Sequence, residues 1–361
     1  MKKVMTSSLV PGMITAEDVY SFDDKLILPK GFTLTDKAIS KLEFYSVLQV
    51  RIESQAPAMV APEPSVEITT YSDRIRNSPE FIEFKETFEN EIPKYKDMMQ
   101  NIASGNEPVN TEALLSFSNQ LLTIESGNGY VNIFDMLHNM RQYDDLTFVH
   151  SINVSLICNV FGRWLKLNED DIQTLTLCGM LHDIGKLAIP DKIIKKPSKL
   201  TDDEYTIVKK HTLEGYKILR GANVPDCVRN SALMHHERAD GTGYPLGLAG
   251  NQVEPFARIV AIADVYDALT SARIYRGPLC PFKAIELFES EGLQRYDAQY
   301  IMTFLENIVN TYMMHTVRLS DGRMGEIVFI NKAFLSRPTI NCNGKFIDLS
   351  AIPSLTIEAI L

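Results

Sequence analysis

Residues 182–186 of this chain read HDIGK, and residues 235–236 form a second adjacent pair, HH. The chain has only seven histidines, and five of them fall within the 87 residues from His150 to His236. Because imidazole is a common ligand of transition metals, this clustering predicts a metal site rather than five unrelated core histidines. The site would lie within residues 127–311, where apolar residues recur at helical spacing and predict one helical domain.

The number and type of candidate ligands favour two metal ions. Five imidazoles and two carboxylates are too many for one tetrahedral zinc, and they suit two ions of higher coordination number. A carboxylate can bridge two ions, and Asp183 is the natural bridge because it adjoins His182. Two ions about 3.5–4 Å apart can hold a bridging hydroxide and stabilise both the attacking and the leaving oxygen of a phosphodiester. The candidate metal ligands are His150, His182, Asp183, His211, His235, His236 and Asp264.

Basic residues near this cluster indicate an anionic ligand. Lys186 follows Asp183 by three residues, and residues 186–199 contain five lysines against one aspartate. The chain as a whole has a net charge of −10, so this basic segment is opposite in charge to the chain around it. Arg273 and Arg276 lie one helical turn apart and could clamp two phosphates. For the lysines at 192–199, a solvated charged loop remains the alternative.

The regions outside this domain complete a mainly α protein that has small β-rich modules at its two ends. Residues 1–53 predict an N-terminal β-rich module with a helix over Thr35–Tyr45. Residues 54–67 are rich in proline, alanine and glutamate, which predicts a linker. Residues 68–126 predict a helical connecting region, in which we expect Pro93 to kink or break a helix.

In the last fifty residues, the spacing of apolar residues changes from a helical repeat to an alternation of apolar and polar residues. Residues 320–322 (SDG) and 343–344 (NG) are typical hairpin turns, and they flank alternating apolar segments. Residues 312–361 therefore predict a C-terminal β-module. The helices of residues 68–126 need a surface for their apolar faces, which either a homodimer or the neighbouring helical domain could supply.

Composition excludes several classes of protein. With 36 basic and 46 acidic residues in 361, a nucleic-acid polymer is not expected as a partner. No apolar run reaches the length of a membrane span, and the N-terminus lacks the apolar core of a signal peptide. The five cysteines form no C-x-x-C pair and fit reduced, buried thiols, which predicts a cytoplasmic location.

Three motifs resemble those of the HD-GYP family of metal-dependent phosphodiesterases. They are HDIGK at 182–186, HHERADGTGYP at 235–245 and ADVYDALTSARIYR at 263–276. With His150 and His211, the resemblance covers about residues 140–311. The family hydrolyses cyclic di-GMP, a bacterial second messenger, to linear pGpG and in some members to GMP. The resemblance thus implies an HD-superfamily helical bundle and a bacterial enzyme, with diguanylate cyclase (GGDEF) proteins as candidate partners.

When the functional residues of the family are assigned to the matching positions of this sequence, the resemblance implies two metal sites that share Asp183. One metal would take His150, His182, Asp183 and Asp264, and the other would take Asp183, His211, His235 and His236. Asp183 and Lys186 would be catalytic, and the substrate contacts would be Lys186, Tyr244, Arg273 and Arg276. Tyr244 would stack on guanine.

The metal count and identity follow from the same resemblance. Members with a third metal carry a glutamate four residues before the first histidine, and here that position is Leu146. We therefore expect two divalent transition-metal ions. Iron or manganese suits a histidine-rich, carboxylate-bridged site, and zinc or nickel could also occupy it.

Two other functions remain open at this point. A non-catalytic sensor would bind a cyclic dinucleotide without hydrolysing it, although all seven candidate ligands are present. Another HD phosphohydrolase would keep the metals and act on a different nucleotide or cyclic dinucleotide. Metal analysis together with a hydrolysis assay would separate these functions.

Overall fold

The computed structural model describes residues 2–6, 9–10, 12–20, 26–34, 38, 42, 47, 49–53, 71–125, 133–140, 146–196, 200–271 and 279–361. The chain divides into two compact units. One comprises Met1–Ile68 with Ala272–Pro278, and the other comprises Thr69–Ser271 with Leu279–Leu361. Each unit is described separately below.

The first unit contains two small antiparallel sheets. Strand β1 (Lys2–Met5) pairs with β4 (Gln49–Ile52), and β2 (Val19–Tyr20) pairs with β3 (Leu26–Leu28). Ala38 and Leu42 are helical and buried, one turn apart, within the helix predicted over 35–45. The rest of that helix and the predicted linker at 54–67 lie outside the described residues.

The second unit is mainly helical. Its α-helices are α1 (Tyr71–Arg76), α2 (Pro79–Ala103), α3 (Thr111–Glu125), α4 (Ile133–Asn139), α5 (Leu146–Trp164), α6 (Glu169–Leu181), α7 (Asp191–Ile194), α8 (Asp202–Lys209), α9 (His211–Leu219), α10 (Asp226–Met234), α11 (Pro255–Thr270), α12 (Pro281–Leu287), α13 (Leu293–Arg295) and α14 (Ala298–Thr311). A 3-10 turn at Ile184–Ala188 follows α6, and a π-helical turn at Phe288–Gly292 follows α12. Within the described part of the chain, every helix is too short or too polar to cross a membrane.

Helix α2 shows how the sequence sets these elements. Ser78 caps it by accepting a hydrogen bond from the backbone N–H of Phe81 at 3.1 Å, and Pro79 occupies the first turn. The helix runs through Pro93. Of the two outcomes expected for this proline, the break is wrong, and the kink stays a prediction. Proline removes only one backbone hydrogen bond, and buried side chains on both sides of it, Ile92 and Tyr95, hold the helix against the core.

The C-terminal residues form the predicted β-module. Five antiparallel strands lie in the order β8-β7-β6-β5-β9. They are β5 (Thr316–Leu319), β6 (Met324–Phe329), β7 (Thr339–Cys342), β8 (Lys345–Asp348) and β9 (Ile357–Ile360). Both predicted hairpin turns are confirmed: Asp321 and Gly322 lie between β5 and β6, and Asn343 and Gly344 join β7 to β8. Asn343 and Gly344 have φ of 52° and 84°, which a tight hairpin turn requires.

One apolar core joins most elements of the second unit. It includes the buried face of α2 and α3, the helices α5, α6 and α11, and the inner face of the sheet, for example Val317 and Ile327. Glu289 fixes the sheet further by accepting the backbone N–H groups of Leu335 and Ser336 at 2.6 and 3.2 Å. The mainly α fold class with small β-rich modules at the ends is therefore confirmed, while the limits of the predicted domains at 126 and 311 stay predictions.

We predict that a cavity in α2 destabilises the whole helical unit. Phe88 is fully buried and its ring stacks on Phe84 at 5.8 Å between centroids. Phe88→Ala should lower the free energy of unfolding by about 3–5 kcal/mol, measured by urea denaturation. Ile82→Ala, on the exposed side of the same helix, should change it by less than about 0.5 kcal/mol. A separate early transition that leaves the remaining helices unaffected would show that α2 does not share their core.

Candidate metal centre

Five helices bring the seven predicted ligands to one place. His150 lies in the first turns of α5, and Asp264 lies in α11. His182 and Asp183 follow directly after α6, and His211 is the first residue of α9. His235 and His236 follow directly after α10. Most of these side chains thus come from helix ends, where the chain turns and several elements can converge on one point.

Asp183 lies at the centre of this cluster, with 2% of its surface exposed. Its Oδ2 is 3.7 Å from Nε2 of His150 and 3.3 Å from Nε2 of His182. Its other oxygen, Oδ1, is 3.4 Å from Nε2 of His211 and 3.8 Å from Nε2 of His235. The two oxygens of one carboxylate therefore face two different pairs of imidazoles.

Backbone carbonyls orient three of the imidazoles. His182, His211 and His235 each donate Nδ1–H to a carbonyl three or four residues earlier, at 2.7, 2.7 and 3.0 Å. A carbonyl oxygen can only accept, so the proton of each neutral ring sits on Nδ1 and the lone pair sits on Nε2. The three Nε2 lone pairs consequently face Asp183, as metal ligation by histidine requires.

A second carboxylate orients His150. Its Nδ1 lies 2.7 Å from Oδ2 of Asp267, and its Nε2 lies 3.0 Å from Oδ1 of Asp264. Asp267 is itself held by Asn153 and Ser271, which donate to its Oδ1 at 3.0 and 2.8 Å. Burial lowers the pKa of His150, but Asp264 and Asp267 outweigh this effect and raise the pKa to about 9.

Asp267 is a residue that the sequence analysis missed. It stands three residues after Asp264 in the third motif, so both carboxylates lie on one face of α11. That spacing was the available signal, because a helix that presents one acid to a site presents its i+3 neighbour nearby. The contact to His150 spans 117 residues and could not be inferred from helical period.

The ligand atoms group into two sets of three. Those of His150, His182 and Asp264 lie within 4.8 Å of one another, as do those of His211, His235 and His236. A third group of the same compactness, His182, Asp183 and His235, joins the two sets through Asp183.

The polar atoms in this cluster fit metal ions. Among the described residues, His182 Nε2 and Asp183 Oδ1 are buried without a hydrogen-bond partner, although both need one. Burial raises the pKa of Asp183, but Lys186 and His182 outweigh it and hold that pKa well below its usual range. Burial also holds the pKa of His235 far below normal. An ionised carboxylate and neutral imidazoles are the protonation states in which these groups bind metals.

Close backbone packing at Gly185 completes the first motif. A Cβ atom there would lie 1.9 Å from the backbone oxygen of His211, so only glycine allows this approach. Lys186, the next residue, directs its Nζ to Oδ2 of Asp183 and is about one-quarter exposed. The predicted phosphate-binding lysine therefore sits against the central carboxylate.

The loop that carries Tyr244 packs on the other side of the cluster. The Tyr244 ring stacks on the His236 ring, with 4.7 Å between centroids and an interplanar angle of 30°. Buried Glu237, a residue the sequence analysis did not single out, accepts two backbone N–H groups of this loop, at 2.7 and 3.0 Å. Arg273 and Arg276, the predicted phosphate clamp, lie outside the described residues.

A protein-family model for the HD domain matches residues 132–300, which contain all seven clustered side chains. We refer to residues 132–300 as the HD domain, after the family model that they match. The three groups of side chains that could hold a metal ion all lie within these residues.

Curated relatives align with part of this chain. The chain is 38% identical over 195 residues to "Cyclic di-GMP phosphodiesterase PA4108" of Pseudomonas aeruginosa, an alignment that covers 52% of this chain and 46% of the relative. It is 37% identical over 169 residues to "3'3'-cGAMP-specific phosphodiesterase 1" of Vibrio cholerae, covering 46% of this chain and 39% of the relative. The chain thus spans less than half the length of these two relatives.

A solved structure is also similar. The structure of Bd1817, described as an HDG"Y"P protein from Bdellovibrio bacteriovorus, aligns with 85% of this chain and 99% of its own, at 18% identity and a TM-score of 0.44.

We predict that Asp267→Asn weakens metal binding without unfolding the HD domain. The amide keeps the shape of the carboxylate but loses the charge that orients His150, and such outer contacts are typically worth about 10–100-fold in metal affinity. Titration with a chelator, monitored by metal content, measures the change. Asp135→Asn is the matched control, because buried Asp135 lies 3.4 Å from His315, a histidine outside the cluster. Equal metal affinity in Asp267→Asn and the parent would show that Asp267 does not position His150.

Proposed function

We propose that this HD domain is a binuclear-metal phosphodiesterase that hydrolyses cyclic di-GMP to linear pGpG, with GMP left open as a further product. The observation that carries the proposal is the position of Asp183, whose two oxygens face different pairs of imidazoles at 3.3–3.8 Å. A carboxylate so placed is suited to bridge two ions. Mononuclear zinc would leave several of the convergent donors without a partner.

The chain offers two sets of donors that share this carboxylate. One ion would be held by His150, His182, Asp183 and Asp264, and the other by Asp183, His211, His235 and His236. When bound, such a pair of ions supplies an activated water and electrostatic stabilisation of the reacting phosphodiester. Iron or manganese is the expected metal, and zinc or nickel is the alternative.

The remaining residues of the site would bind and orient the substrate. Lys186 lies at the central carboxylate with its side chain partly exposed, so it can offer its charge to a phosphate that enters the site. Tyr244 is half-buried over His236 and would stack on a base. Arg273 and Arg276 remain the predicted clamp for the second phosphate.

A second candidate substrate is 3'3'-cGAMP. The relative of that name from Vibrio cholerae is as similar to this chain as the relative named for cyclic di-GMP, at 37% against 38% identity. A non-catalytic sensor is less well supported, because every one of the seven positions carries a ligating side chain. Hydrolysis of cyclic di-GMP would further place the protein in the bacterial cytoplasm with GGDEF diguanylate cyclases, and the homodimer stays a prediction.

We predict close to two transition-metal ions per chain in the purified protein. His182→Ala and Asp183→Ala should each lose most of the metal and all measurable hydrolysis, because Asp183 is shared by both donor sets. Metal analysis by mass spectrometry and chromatography of the nucleotide products measure both effects. His138→Gln, a histidine outside the cluster, should retain metal and turnover. One ion per chain, or full metal content in Asp183→Ala, would contradict the binuclear proposal.

Lys186→Ala should retain both metals and lose turnover. Removing one electrostatic donor from a transition state costs roughly 2–4 kcal/mol, or about 30- to 1000-fold in kcat. Lys192→Ala is the matched control, since this exposed lysine belongs to the same basic segment. Equal turnover in the two variants would show that Lys186 acts only as a partner of Asp183.

A further inference from the structure

Helix α8 (Asp202–Lys209) has eight residues, and none of their side chains is fully buried. Its start is fixed by hydrogen bonds instead of a core. Thr201 Oγ1 accepts the backbone N–H of Glu204 at 3.2 Å, and Glu204 accepts that of Thr201 at 2.8 Å. Lys196 also contacts Glu204, at 2.5 Å. Core packing therefore does not explain the large side chain of Tyr205, which is 48% exposed.

The last residue of α8 leads back to the metal centre. Lys209 Nζ lies 5.2 Å from the centroid of the Tyr205 ring and 5.9 Å from the centroid of the Tyr244 ring. Tyr244 in turn stacks on His236, one of the clustered imidazoles. A continuous row of rings and one ammonium group thus extends from the metal centre outwards, through His236, Tyr244, Lys209 and Tyr205.

The ammonium group of Lys209 has no acidic partner in the part of the chain that the structure describes. Lys196 and Lys217, by contrast, have acidic partners, Glu204 and, at 2.8 Å, Glu214. Contact with aromatic faces stabilises a cation but leaves its N–H groups without acceptor atoms. Lys209 can therefore donate hydrogen bonds to a ligand that lies between the two tyrosines.

We propose that Tyr205 and Lys209 bind one purine base of a cyclic dinucleotide, and that Lys209 selects guanine over adenine. Tyr205 would stack on the base, since tyrosine stacks on any base without regard to its edge. Lys209 would donate to O6 and N7 of guanine, which are both acceptors. Adenine presents an amino group in place of O6, so it offers this lysine a donor where an acceptor is needed. The inference rests on the proposed function, and it names the residues that would favour both candidate substrates over cyclic di-AMP.

The test compares kcat/KM for cyclic di-GMP, 3'3'-cGAMP and cyclic di-AMP, which contain two, one and no guanines. In the metal-loaded parent protein we expect a preference for the substrates with guanine. Lys209→Met should reduce that preference by roughly 5- to 100-fold, the scale of one two-acceptor contact to a base. Lys209→Gln should shift the base preference further towards adenine than Lys209→Met does, because glutamine pairs with N6 and N7 of adenine.

Two further comparisons separate base recognition from general charge. Lys217→Met removes an exposed lysine from the next helix and should leave the preference unchanged. Tyr205→Leu should lower kcat/KM for all three substrates by a similar factor. Tyr205→Phe should keep the kcat/KM of the parent protein, because the ring stacks on the base and the hydroxyl does not. An unchanged preference in Lys209→Met and Lys209→Gln would overturn the assignment of Lys209, and full kcat/KM in Tyr205→Leu would overturn that of Tyr205.

Binding of phosphorothioate analogues, which resist hydrolysis, distinguishes failure of this inference from failure of the proposed function. The protein could cleave none of the three substrates and still bind analogues that contain guanine more tightly than the cyclic di-AMP analogue. If Lys209→Met abolishes that difference in binding, the inference stands and the phosphodiesterase proposal falls. If the protein cleaves cyclic di-GMP and both lysine variants keep its base preference, the inference falls alone. If the parent protein binds none of the phosphorothioate analogues, the inference falls.

Discussion

The HD domain depends on one buried carboxylate. Taking an ionised carboxylate out of water costs several kcal/mol, and Asp183 is almost completely enclosed. Lys186 and the surrounding histidines hold its pKa low and so keep it charged. Each of its oxygens also requires partners on its own side, which explains why the imidazoles divide into two pairs. The arrangement of the five contributing helices follows from the need to surround this group.

Side chains at helix ends surround Asp183 more readily than side chains on helix faces. At the end of α6 and α10, and at the start of α9, backbone carbonyls of the preceding turn accept the Nδ1–H groups of the histidines. A carbonyl three or four residues earlier in the chain therefore sets the direction of each ring. This device lets three histidines present Nε2 to Asp183 without further side chains, and His150, within a helix, needs Asp267 instead.

Much of this could be predicted from the sequence because it depends on local order. The helical periods, the capping residues of α2 and α8 and the turn at 343–344 are properties of nearby residues. The grouping of the seven side chains joins distant parts of the chain, and it was expected from the clustering of histidines and from the three motifs. Asp267 and Glu237 could not be assigned their roles, because their partners lie in other elements or across a loop. The continuity of α2 through Pro93 also depends on buried neighbours, which outweigh the loss of one hydrogen bond.

The separation between the metal centre and α8 has a thermodynamic consequence. A substitution at Asp183 changes a buried charge on which several helices depend, so it affects metal binding and folding together. A substitution at Tyr205 or Lys209 removes no buried contact, and surface changes of that kind usually alter stability by less than about 0.5 kcal/mol. If base selection resides on α8, this HD domain can change the dinucleotide it prefers without disturbing the centre that would cleave it. The physical basis is that α8 is fixed by its cap and not by the core.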